Sequence, residues 1–86
     1  MHKNFIERVG QINHLGYSGA DLSVVLPTLN EEGNIGGLIV EIFELLPHCQ
    51  IIVVDDSSID NTVKEVEDLR NIYTNLILIK NTIKDA

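Results

Sequence analysis

The residues of this chain best suited to chemistry are acidic. In the run "QIIVVDDSSIDNT", residues 50–62, four apolar residues end in adjacent aspartates, Asp55 and Asp56, and a string of small polar residues follows. Carboxylates accept hydrogen bonds from hydroxyl and N–H donors of a ligand. Side by side they repel, and such donors, or a cation, relieve the repulsion. Consecutive strand residues point to opposite faces, so one aspartate of the pair can face a ligand while the other turns into the loop or toward a metal. The plainer role, tying down a loop or capping the next helix, falls first to Asp60. A second polar stretch, "PTLNEEGN" at residues 27–34, brings Glu31 and Glu32. Glu32 is expected in the first turn of the following helix, where a negative charge suits the dipole. His2, His14 and His48 have no spacing suited to a shared metal, and Cys49 is alone. No nucleophile–His–acid set can be assembled.

The elements that must position these residues follow from hydrophobic spacing. Residues 22–26 (LSVVL) form a short apolar run closed by Pro27, as for a buried strand that ends where a backbone donor is no longer wanted. From Ile35 the period becomes helical through Leu38, Ile39, Ile42, Phe43, Leu45 and Leu46, and Pro47 stops it. Residues 51–54 are apolar at every position, as in a strand covered on both faces. Val63, Val66, Leu69 and Tyr73 mark a second helix with two candidate caps, Asp60 and Thr62; Thr62 with Glu65 fits the reciprocal capping pattern. Residues 76–79 form a third strand. The order β-α-β-α-β with short links predicts an α/β domain with a parallel sheet and right-handed crossovers. Ligands of such sheets bind beyond the carboxyl ends of the strands, where both polar stretches lie.

Composition narrows the function. With 86 residues there is one small domain, and a chain of this size buries only about 60–65% of its unfolded surface. Thirteen acidic residues against six basic ones give a formal charge of −7, which disfavours nucleic acid as a partner. A small phosphorylated ligand remains open if backbone N–H groups or a cation offset the charge. No apolar run reaches the ~20 residues of a membrane-spanning helix, and the first residues do not resemble a signal peptide. Residues 1–21, with Gly10, Gly16 and Gly19, read as a leader: a helical turn or two around residues 5–12, then a loose connection.

The stretch "LSVVLPTLNEEGNI", followed after a helix by "IIVVDDSSIDNT", resembles the opening of family 2 glycosyltransferases with the GT-A fold. The likeness is greatest to the dolichol-phosphate mannosyltransferase and polyprenyl-phosphate glycosyltransferase branch. Pro27, Thr28, Asn30 and Glu31 fill the first motif, and Asp55, Asp56, Ser58, Asp60 and Thr62 the second. The resemblance covers residues 22 to about 80 and implies a partial GT-A domain, a Rossmann-like three-layer architecture. It implies a nucleotide-sugar donor, linked through GDP or UDP, and a polyprenyl phosphate as acceptor. Pro27, Leu29 and Glu31 would line the base and ribose pocket, and Val54 and Asp56 would contact the nucleoside, with Asp55 beside them. Leu29 stands where relatives often carry an aromatic that flanks the base. Ser57 stands where glycine is frequent, from which a less strained turn is expected.

In the family a divalent metal, Mg²⁺ or Mn²⁺, is held by a D-x-D motif. By the resemblance that motif, the catalytic base and the acceptor site lie beyond residue 86, so residues 22–86 correspond to the N-terminal part of the domain. The isolated chain is expected to bear no catalytic residue, to hold no metal by itself and to be inactive in sugar transfer. A cytoplasmic location is expected, at the membrane surface for the full-length form. Self-association through an open sheet edge is also expected. A non-catalytic nucleotide-binding or interaction module is the alternative. A phosphorylation receiver domain fits less well, since its acidic pair follows the first strand. A dinucleotide-binding fold lacks its G-x-G-x-x-G here.

Overall fold

The computed structural model describes residues 18–81. The elements run β1 (Ser23–Thr28), α1 (Ile35–Leu45), β2 (Gln50–Asp56), α2 (Thr62–Arg70) and β3 (Leu76–Asn81). The strands form one parallel sheet in the order β1-β2-β3, with Val24 beside Ile51 and Ile51 beside Leu76. The α/β class and the β-α-β-α-β order are those expected from the sequence.

The alternation of burial explains how the sheet is held. Val24 and Leu26, Ile51 and Val53, and Leu76 point to one face and join Ile35, Leu38, Ile39, Ile42 and Phe43 of α1, Val66 of α2, and Leu46. Ile39, Ile42, Leu46, Ile51, Val53 and Val66 are fully buried. Each such side chain stabilises the fold by about 1.5–3 kcal/mol through apolar burial. Phe43 and Tyr73 stack with ring centroids 4.5 Å apart and extend this core past the end of α2. Both helices pack on the same face. The opposite face carries Val25 and Pro27, Ile52 and Val54, and Ile77 and Ile79; Val25 is 57% and Ile79 49% exposed. The expectation that β2 is covered on both faces is therefore met on one face only among the described residues; on the other face Ile52 and Val54 are half-buried.

β1 continues through Pro27 to Thr28, past the end set by the sequence reading. The N–H of Gln50 donates to the Leu22 carbonyl, so the ladder to β2 uses the even-numbered residues of β1. The Pro27 nitrogen then faces away from β2, toward an edge that pairs with no strand among the described residues, where its missing donor costs no sheet hydrogen bond. The loose connection expected before β1 is, over residues 18–21, a packed turn. The His48 N–H donates to the Ser18 carbonyl at 3.1 Å. Gly19 takes φ +88°, and a Cβ there would lie 2.9 Å from Leu46 Cβ. Residues 1–17 and 82–86, which include the expected leader helix, lie outside the described residues.

Candidate functional site

The two polar stretches leave the carboxyl ends of β1 and β2 as neighbouring loops, because Thr28 and Asp55 are register partners. The adjacent aspartates divide as the pleat requires. Asp55 points to the helix side and is buried, at 2% exposure. Its Oδ1 accepts from Thr28 Oγ1 at 2.8 Å and from Ser58 Oγ, and its Oδ2 accepts from the Ser58 N–H at 2.9 Å. Burial raises the Asp55 pKa, but the hydrogen bonds from Ser58 and Thr28 outweigh it and hold the carboxyl below its ordinary value. Asp56 points the other way and is exposed, with the Asn81 amide 3.4 Å from its Oδ1.

The rest of the acidic motif grips the first loop. The N–H groups of Asn30, Glu31 and Glu32 donate to Ser58 Oγ at 2.8 Å, Thr62 Oγ1 at 2.8 Å and Asp60 Oδ2 at 3.1 Å. In return the Ile59 N–H donates to Asn30 Oδ1 at 2.9 Å, and the Asn61 N–H to Glu32 Oε1 at 3.2 Å. Asp60 also accepts from the Thr62 hydroxyl and, at 2.9 Å, from the Thr62 N–H at the start of α2. The Thr62 hydroxyl is the largest cause that lowers the Asp60 pKa.

Three local expectations are corrected. Thr62 and Glu65 do not form a reciprocal cap: Asp60 meets the Thr62 N–H, and Glu65 reaches across to the Gly33 and Gly36 N–H groups. Glu32 lies before α1, bonded to Asn61. Ser57, expected to relax its turn, adopts φ +60° in the left-handed region that favours glycine. Its hydroxyl donates to the Asn81 carbonyl at 2.9 Å. Thr28 and Ser58 entered the sequence reading only as motif positions, and Glu65 only as a local cap. A lone buried carboxylate beside two hydroxyls is a tertiary arrangement, and local spacing does not encode it.

Outside this clasp, on the open face at the same end of the sheet, Pro27 pairs in register with Val54 and Val54 with Ile79. Leu29, 56% exposed, and Asp56 stand beyond them at the strand ends, and Glu31 is half-buried in the loop that follows β1. This arrangement is an apolar floor with one outward carboxylate at its rim. A planar apolar group with hydrogen-bond donors along its edge fits such a surface. A divalent metal does not fit the described residues. Asp55 and Asp60 spend their oxygens on the clasp, Asp56 is a single carboxylate, and no group of three or more His, Cys, Asp or Glu is placed to hold an ion.

Neither the curated proteins nor the solved structures yield a match to the chain. The family model for glycosyl transferase family 2 matches residues 23–85. That span takes in all five elements, both clasped loops and the open floor, and it joins them to the parallel order expected of a partial GT-A domain. The chain belongs to glycosyl transferase family 2.

Proposed function

We propose that residues 22–86 form the nucleotide-binding N-terminal part of a glycosyltransferase domain that takes a GDP- or UDP-linked sugar and passes it to a polyprenyl phosphate. In this reading Pro27, Leu29 and Val54 receive the base, and Glu31 and Asp56 accept hydrogen bonds from base or ribose. Asp55 serves the pocket from beneath by fixing the loop through Ser58. The observation that carries the reading is the split of the aspartate pair. The motif's other acidic positions are tied to backbone N–H groups, while Asp56 is exposed beside an apolar floor. A pocket on a chain with a net charge of −7 is expected to bind an anionic ligand weakly.

Metal chemistry in the whole domain would stabilise the departing diphosphate. The described residues do not assemble a site for the ion. Titration of the isotope-labelled chain with GDP and UDP tests the pocket. Amide shifts are expected at residues 27–32 and 53–58; shifts confined elsewhere refute it. Incubation with GDP-mannose or UDP-glucose, Mg²⁺ or Mn²⁺ and a polyprenyl phosphate is expected to yield no product from the isolated chain. Metal-dependent transfer that Asp56→Ala abolishes overturns that expectation.

A further inference from the structure

Glu65 takes part in the clasp between the two loops and stands outside the acidic motif. Glu65, in the first turn of α2, spans from the Gly33 N–H, bound through Oε1, to the Gly36 N–H, 3.3 Å from Oε2. Three further observations concern the same point. The Asn34 side chain makes no capping hydrogen bond to α1, and the first turn of α1 contains no acidic residue. Glu65 is thus the carboxylate that meets the donors and the positive end of that helix. Gly33 takes φ +87°, a conformation that turns its N–H toward α2 at little steric cost. At Gly36 a Cβ would stand 3.0 Å from Glu65 Oε2, so the absent side chain leaves room for the carboxylate.

We infer that Glu65 is a positioning residue for the loop at residues 29–33, acting through Gly33 and Gly36 from outside the pocket, and that it thereby sets nucleotide affinity. The inference rests on the reading that Leu29 and Glu31 line the nucleoside. From the first turn of α2, Thr62 holds the Glu31 N–H and Glu65 the Gly33 N–H. A loop ordered before the ligand arrives does not lose that freedom on binding, which is the physical basis of preorganised affinity. Because Glu65 covers the start of α1, the helix terminus is also closed to phosphate.

The test uses the full 86-residue chain, isotope-labelled, with GDP and UDP as probes. Wild type, Glu65→Gln, Glu65→Ala, Gly36→Ala and the core control Val66→Ala are compared at a temperature where circular dichroism shows each folded. Glu65→Gln and Glu65→Ala are expected to move the Gly33 and Gly36 amide resonances. Glu65→Ala is expected to raise the nucleotide Kd about tenfold and Glu65→Gln about threefold, the range for losing charge-assisted hydrogen bonds. Val66→Ala, which lowers stability without touching the clasp, is expected to stay within about twofold, a negligible free-energy change on that scale. Should Glu65→Ala unfold, Glu65→Gln and Gly36→Ala carry the comparison. Unchanged or tighter binding in the Glu65 variants overturns the inference, as does equal weakening by Val66→Ala. Unmoved Gly33 and Gly36 amides in Glu65→Gln overturn the clasp itself. Wild type that binds neither nucleotide overturns the pocket reading and the affinity role built on it, while the amide shifts still report on the clasp.

Discussion

Asp55 and Asp56 show how one step along a strand separates two chemically identical side chains. Hydrogen bonds from Ser58 and Thr28 favour the ionised form of Asp55, and those from Thr62 favour the ionised form of Asp60. A carboxyl whose folded pKa is depressed adds stability above the unfolded value of about 3.9, and that contribution is lost as pH falls through the folded pKa. Asp55→Asn is therefore expected to be less stable than wild type at pH 7 by about 1–3 kcal/mol. The gap should narrow below about pH 4, where wild type loses the same contribution. Urea unfolding of both proteins between pH 7 and 3 measures it, and a gap that stays constant to pH 3 contradicts the prediction. Ser57 gives a second test. The left-handed conformation costs a residue with a Cβ about 1–2 kcal/mol, and both Gly and Ala lack the hydroxyl that donates to Asn81. Ser57→Gly should exceed Ser57→Ala in stability by about 1 kcal/mol in the same assay. Equal stabilities would show the strain to be absent.

The loop after β1 has few regular hydrogen bonds of its own and takes its shape from the start of α2. Thr62 is fully buried there, its hydroxyl accepting from the Glu31 N–H and donating to Asp60. Thr62→Val keeps the shape and removes both bonds, leaving an N–H and a carboxylate oxygen without this partner. A loss of about 1–3 kcal/mol is expected, with faster hydrogen exchange at Glu31. Thr62→Ser should stay within about 1 kcal/mol of wild type, since it retains the hydroxyl. Comparable losses in the two variants would place the role of Thr62 in packing. At the other end of the same loop, Pro27 lets β1 run on as an edge strand while removing one donor from the edge.

At the scale of the whole molecule, both helices among the described residues cover one face of the sheet, and the other face carries Val25, Pro27, Ile52, Val54, Ile77 and Ile79. An apolar face beside a β1 edge that pairs with no strand among the described residues favours contact with a second copy, and two-fold symmetry is the commonest arrangement. The charge of −7 opposes association, but salt screens it beyond about 8 Å at physiological ionic strength. Sedimentation over a concentration range is expected to show self-association that Val25→Lys and Ile79→Lys weaken. A concentration-independent monomer in wild type would refute this. No helix among the described residues is long and apolar enough to cross a membrane.

The sequence by itself determined the order of elements and the position of the polar loops. Apolar spacing at residues 35–46, the continuous apolar run at 51–54 and the weaker period from Val63 are local signals, and helices and strands respond to local periodicity. The paired motifs also carried the family. Only the tertiary structure decided what each polar residue does. Whether Asp55 meets a ligand or a buried hydroxyl depends on Thr28, 27 residues away in the chain. Whether Glu65 caps its own helix or another depends on where two glycines of α1 and its leading turn come to rest. The tolerance of Pro27 inside β1 likewise follows from which strand lies beside it. A side chain's hydrogen-bond partner is set by proximity in space, and in a parallel sheet that proximity arises through crossovers rather than along the chain.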